Sequence, residues 1–177
     1  MDLRIVKTHK AIRSAFIELL QHTEYEKIAV QDIIDTALVN RSTFYKYYSG
    51  KSDLAGKMIG EFKAEYETIV KERFECGDLK AFYASAVPLL RQQRQLILAL
   101  WKIKTKRHHL YDDMHAIIKK AYIKNATGVL EGGHLDYQGE MFATLLLATA
   151  HYNLTHEKPL EIGTSVQEWR QMIELVG

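Results

Sequence analysis

The chain is poor in the residues that interrupt or staple a fold. Among its 177 residues there is one cysteine, Cys76, and there are two prolines, Pro88 and Pro159. One cysteine excludes an internal disulfide and leaves no CxxC pair, which fits a reducing cytoplasm. Few breakers, with abundant Leu, Ala, Lys, Glu and Gln, favour helix throughout. Long apolar runs are also missing. The longest, at 96–101 and 145–150, fall far short of a bilayer span. The N-terminus leads straight into an amphipathic pattern, so no signal peptide is expected and the protein reads as soluble and cytoplasmic. No P-loop, Gly-rich dinucleotide loop or nucleophile–base set is visible, so neither catalysis nor a cofactor is expected. A large charge of one sign is lacking too. With 24 Lys and Arg against 22 Asp and Glu, any nucleic-acid binding must be argued from local arrangement.

What is present is helical periodicity. Ile5, Ile12, Ala15, Phe16, Leu19 and Leu20 mark an apolar stripe on a first helix over 2–22, with Asp2 as its cap. Arg4, Lys7, Lys10 and Arg13 fill the other side, either as a solvated face or as phosphate contacts. After a loop, Val30, Ile33, Ile34 and Ala37 define a short second helix. Leu38-Val39-Asn40 breaks it, and Asn40 is placed to cap a third helix over 41–48. Two short helices joined by about three residues have helix-turn-helix spacing. In the third, Phe44 and Tyr48 should face the core. That leaves Arg41, Ser42, Thr43, Tyr45, Lys46 and Tyr47 largely outside, a set suited to base edges and phosphates. Lys51, beside the N-terminus of a long fourth helix ending near Phe74, marks an expected phosphate site. Further helices are expected over 78–92, capped by Asp78 and bent at Pro88, then 96–104, 110–131, 138–155 and 165–176. The expected fold is all-α, with about nine helices in two domains. Residues 1–55 form the helix-turn-helix domain and 56–177 a helical dimerisation and effector domain.

The segment from Ala11-Ile12 through Val30-Gln31-Asp32-Ile33 to 37–54 resembles the DNA-binding domain of the TetR family. It carries the family's run of Thr43, Phe44 and Tyr45, then Tyr48, then Lys51 and Leu54, in order and spacing, over about a third of the chain. The resemblance implies that Ser42, Thr43 and Tyr45 face DNA. It implies that Tyr45, Tyr47 and Lys51 hold phosphates, and that Arg41 sits where sequence reading varies between members. It further implies a homodimer that binds a palindromic operator as a repressor and is released by a small-molecule effector. Two positions depart from the family. Leu38 stands where the turn usually has Gly; a left-handed Leu38 costs about 1 kcal/mol, so the turn is expected to be built differently or Leu38 to pack inward. Ala29 stands where a Thr or Ser cap is usual.

For the remaining two-thirds, the run 141–150 is apolar nearly all round, which calls for burial on several sides. The last two helices, over 140–156 and 165–176, are the expected homodimer seam, with Trp169 and Met172 as anchors. Tyr83, Trp101, His108, His109, His115 and Tyr122 are candidates to line an effector cavity, although aromatic residues at helical spacing are more often plain core. A second reading is a metal-binding or protein-interaction module. His108, Asp112 and His115 fall at i, i+4 and i+7, with His109 and Asp113 beside them, a spacing that suits zinc or iron.

Overall fold

The computed structural model describes the backbone of residues 3–129, 134–158 and 162–176, and the side chains of these segments apart from those at 79, 80, 83, 162–165 and 176. All regular structure among the described residues is helical. The order is α1 (Leu3–His22), a 3-10 turn (Tyr25–Lys27), α2 (Val30–Ala37), α3 (Arg41–Tyr47), α4 (Lys51–Glu75), α5 (Leu79–Gln92), α6 (Arg94–Trp101), α7 (Leu110–Ala126), α8 (Leu135–Thr155) and α9 (Ile162–Val176). The all-α expectation holds, and the cap expected from Asp2 lies outside the described residues. The loop after α1 contains the 3-10 turn, which buries Tyr25 and Ile28. Helix α6 stops at Trp101, short of residue 104, and helix α7 stops at Ala126, before Gly128 takes a φ of 80°.

The chain divides into two compact units that do not follow a cut after residue 55. One comprises residues 1–67 with 95–114, the other 68–94 with 115–177. In the first, Ile12, Phe16, Leu20, Ile33, Phe44, Leu54, Ile103 and Leu110 are fully buried. Their spacing at three and four residues along α1 and α2 is what makes one continuous apolar face. Lys102 Nζ donates to the carbonyls of Leu20 and Gln21 at 2.9 and 2.8 Å and so caps the end of α1. A cation there serves carbonyls that no helical N–H reaches.

In the second unit, Gly139, Ala143, Leu147 and Leu154 form the buried side of α8. A Cβ on Gly139 would lie 3.1 Å from Ile123 Cγ1, so the glycine permits a close α7–α8 approach. Within the single chain, burial of α8 is confined to this side. Tyr137, Met141 and Tyr152 lie exposed along the opposite side of α8. Arg94 donates to the carbonyls of Leu154 and Thr155, closing the end of that helix.

The cap expected from Asn40 is not made, and the cap expected to be missing at Ala29 is missing. Asn40 holds the N-cap position of α3, with extended backbone, but its side chain makes no capping bond. Ala29 supplies no cap oxygen, yet α2 is not left open, because Asp32 accepts from the Ala29 N–H at 2.7 Å. That is half of a capping box. Asp78 caps α5 as expected, accepting from the Ala81 N–H at 3.0 Å.

Candidate nucleic-acid interface

The turn between α2 and α3 sets the reading helix. Leu38 N–H donates to Asp35 O and Val39 N–H to Ile34 O, both at 3.2 Å, the paired bonds of a Schellman ending. This ending needs a left-handed residue, and Leu38 supplies it with φ 53° and ψ 43°. The expectation that Leu38 packs inward is overturned, since it is 92% exposed. The turn keeps the geometry that glycine usually provides and accepts the steric cost of a Cβ there, roughly 1–2 kcal/mol.

From that turn α3 presents two sides. Phe44 is 0% and Tyr48 1% exposed, as their four-residue spacing predicts. Arg41, Ser42, Tyr45 and Lys46 are exposed, and Thr43 and Tyr47 are half-buried. Arg41 is not loose. Its Nη1 donates to Gln31 Oε1 at 3.2 Å, its guanidinium lies 5.3 Å from the Tyr45 ring centre, and Gln31 Nε2 donates to Asp35 Oδ1 at 2.8 Å. A ladder of α2 side chains thus holds the arginine over the N-terminal end of α3, with donors still available. Lys46 Nζ lies 5.8 Å from the Tyr47 ring centre.

Two cations that the sequence offers for phosphate contact are engaged elsewhere. Lys51 Nζ donates to Tyr25 O at 2.6 Å, Glu26 O at 3.3 Å and Ile28 O at 2.6 Å, and lies 4.3 Å from the Tyr25 ring centre. Three donors meet three carbonyls, so the ammonium knits the 3-10 turn to the start of α4 and has no donor left for a phosphate. Burial lowers its pKa, with Glu26 and Asp32 opposing the shift. Arg13 is the second. Its guanidinium pairs in two-pronged fashion with Glu61, both contacts at 2.6 Å, and its Nε donates to the Tyr48 hydroxyl at 3.2 Å. The fork geometry of arginine suits this pairing. Nothing in the spacing of residues 13, 48 and 61 announces the network, because they come from α1, the residue after α3, and α4. At the start of α4, Asp53 accepts from the Ser49 N–H at 2.9 Å and from Lys57 Nζ at 3.0 Å, so a carboxylate already occupies that end. These bonds, the Ser49 N–H first, hold its carboxyl below the usual range.

The residues expected to line an effector cavity are divided between the two units. Trp101 is core, its Nε1 donating to Met114 Sδ at 3.2 Å with its ring edge-on to Tyr111. His109 Nδ1 lies 3.4 Å from Asp113. In the other unit, His115 Nε2 meets Thr144 Oγ1 at 3.1 Å, and Tyr122 donates to Gln138 Oε1 at 3.2 Å and packs on Phe142. The Tyr83 side chain lies outside the described residues. An open groove of about 530 Å³ runs along α4 in the first unit, lined among others by Gly56, Gly60, Lys63, Arg107, His108 and Asp113. Of the expected cavity residues in this unit, Trp101, His108 and His109, it is His108 that lines it.

The metal reading loses its geometric premise. Helix α7 begins at Leu110, so His108 precedes it and shares no helical side with Asp112 and His115. Instead the buried His108 ring meets Ser52 Oγ at 3.0 Å through Nε2. Among the described residues no three His, Cys, Asp or Glu side chains cluster as a metal would require. No described helix is long and apolar enough to cross a membrane.

Known proteins share both sequence and fold. No family model matches the chain. Over 181 aligned residues it is 27% identical to YxbF of Bacillus subtilis, described as an uncharacterized HTH-type transcriptional regulator, covering 99% of this chain and 47% of that protein. Over 47 residues it is 43% identical to DhaS of Lactococcus lactis, the HTH-type transcriptional activator of the dhaKLM operon, covering 27% of this chain and 25% of that protein. The chain thus spans half or less of the curated relatives it matches. Among solved structures, a transcriptional regulator of the TetR/AcrR family from Aquifex aeolicus superposes with a TM-score of 0.61 at 15% identity, over 96% of this chain and 99% of that one. The dihydroxyacetone kinase operon activator DhaS superposes with a TM-score of 0.59 at 17% identity, over 95% and 97%. The regulatory protein TetR of Rhodobacter sphaeroides gives 0.57 at 15%, over 91% and 96%. The chain therefore has the all-α fold of the TetR/AcrR transcription regulators and is similar in sequence to HTH-type regulators, with its own helix-turn-helix in α2 and α3.

Proposed function

We propose that this chain is a sequence-specific DNA-binding transcription regulator, not an enzyme, that acts in the cytoplasm as a homodimer on a palindromic operator. The observation that carries the reading is the division of α3 into a buried pair, Phe44 and Tyr48, and an exposed set headed by a braced Arg41. An arginine held with donors free suits a guanine edge, while Ser42, Thr43, Tyr45, Lys46 and Tyr47 suit neighbouring bases and phosphates. Lys51 supports the site from behind.

A two-turn helix reads only a few base pairs, so a dimer with two reading heads is needed for useful specificity. The unpartnered apolar residues support a seam in the last two helices. Tyr137, Met141 and Tyr152 are exposed on α8, and Val166, Met172, Ile173 and Leu175 on α9. Large exposed apolar residues concentrated on two helices favour an association site there. Trp169 is tied back to Thr149 at 3.1 Å and frames that seam.

Repression by occupancy of the operator is the simplest outcome of such binding. DhaS is named an activator, so likeness of the reading head does not by itself fix the sign. A small-molecule effector regulates only if it prefers one spacing of the two heads to the other. Selection of bound sequences from random DNA by the purified protein tests the proposal. A recovered palindrome, with affinity that falls steeply with salt, supports it. Enrichment of no motif, or a monomer by light scattering at micromolar concentration, contradicts it.

A further inference from the structure

We propose that His9, on α1, is a direct contact to the DNA backbone, donating its Nε2–H to a phosphate beside Tyr47. The inference rests on the DNA-binding reading above and extends the contact surface from α3 to α1.

Hydrogen-bond logic fixes the tautomer. The Tyr48 hydroxyl is buried and has a single proton. Arg13 Nε, 3.2 Å away, can only donate to it. The hydroxyl proton therefore goes to its other neighbour, His9 Nδ1, at 2.8 Å. A proton on Nδ1 would strand the Tyr48 hydrogen in a buried position, a costly arrangement. The proton of the neutral imidazole is thus on Nε2, which has no partner among the described residues.

The surroundings keep that ring neutral and aimed. Burial and the nearby Arg13 and Lys57 disfavour its protonation, and Glu61 only partly opposes them. Its ring centre lies 4.4 Å from that of Tyr47, at 54° between planes. The two cations that disfavour its protonation are already used. Arg13 is paired with Glu61, and Lys57 Nζ donates to Tyr47 O at 2.9 Å and to Asp53. What the patch leaves open is a pair of neutral donors side by side, the His9 Nε2–H and the Tyr47 hydroxyl. Adjacent neutral donors on a helical surface are suited to phosphate oxygens, which take a large share of protein–DNA hydrogen bonds.

A phosphate contact is blind to sequence, so the test needs no operator. The full chain is titrated by fluorescence anisotropy onto a duplex of about three helical turns and arbitrary sequence. His9→Asn keeps an acceptor at the Nδ1 position and removes the Nε2–H. It should melt with wild type and bind about ten- to a hundredfold more weakly, the worth of one hydrogen bond to a charged group. In the wild type the Nε2–H resonance should move on DNA addition. Wild-type affinity for His9→Asn, or an unmoved Nε2–H resonance in a chain that binds duplex, overturns the proposal. The resonance also decides the case in which the variant melts early. His9→Ala, which removes the Tyr48 acceptor as well, should both melt lower and bind more weakly. If wild type shows no salt-sensitive duplex binding, the DNA reading itself falls, an outcome distinct from failure of the His9 contact alone.

Discussion

His108 packs against Gly56 so closely that a Cβ on the glycine would lie 2.9 Å from the imidazole Cε1. The ring cannot easily retreat, because it is buried and held by Ser52 at 3.0 Å. Gly60, one turn further along α4, has open space where its Cβ would go. Both positions would gain about 1 kcal/mol of helix propensity from alanine. At Gly56 overpacking opposes that gain by roughly 1–3 kcal/mol. Gly60→Ala should therefore stabilise the protein and Gly56→Ala destabilise it. Urea melts of the two variants, read for opposite signs of the midpoint shift, check this. A stabilised Gly56→Ala would mean that the His108 segment yields freely.

The helices were legible in the sequence because burial in α1 to α4 follows a strict helical period, and Phe44 and Tyr48 showed the inner side of α3 directly. The outer side was legible only as a set of residue types. Whether a given cation is free depends on partners from other elements, as Arg13 with Glu61 and Lys51 with the carbonyls of Tyr25, Glu26 and Ile28 demonstrate. His108 misled for a related reason. Spacing at i, i+4 and i+7 means a shared side only inside a helix, and α7 begins two residues after it. The Leu38 turn was misjudged because a helix-ending motif was set against a single residue's conformational cost, and the motif prevailed.

Lys51 should act on stability more than on DNA affinity. Replacing it with Met removes the donors for three carbonyls while keeping the length of the stem. The expected loss is about 2 kcal/mol, the scale of hydrogen bonds to a charged donor. Thermal melting in the absence of DNA measures it. An unchanged melt with weakened duplex binding would reassign Lys51 to phosphate contact.

Gln31 does not belong to the reading helix, yet it should affect sequence specificity through Arg41. Gln31→Ala removes the acceptor that steadies the Arg41 guanidinium. If Arg41 reads a base edge, a contact of about 1–3 kcal/mol is loosened, and discrimination between matched and scrambled sites should fall several-fold with little change at the scrambled site. Tyr45→Ala should weaken both sites and also loosen Arg41, whose guanidinium rests over that ring. Competition binding with matched and scrambled duplexes separates the two patterns. Equal loss at both sites for Gln31→Ala would contradict the bracing role.

Stability should fall in two stages on acidification. His9 and His108 both have pKa values lowered from 6.5, chiefly by burial. For a base lowered in the folded state, the unfolded chain takes up the proton first. Their contribution is complete above pH 6.5 and is lost progressively as the pH falls below that value, until the folded groups protonate as well. Glu61 adds a later stage, since its hydrogen bonds from Arg13 hold its carboxyl below 4.5. As the pH drops beneath that value the unfolded carboxyl protonates first, and the Arg13 pairing is progressively surrendered. Urea midpoints at pH 7, 5.5 and 4 should decline at each step. His108→Gln should flatten the first step and Glu61→Gln the second. A wild-type midpoint that is level between pH 7 and 5.5 would show that the two imidazoles titrate alike in the folded and unfolded chain.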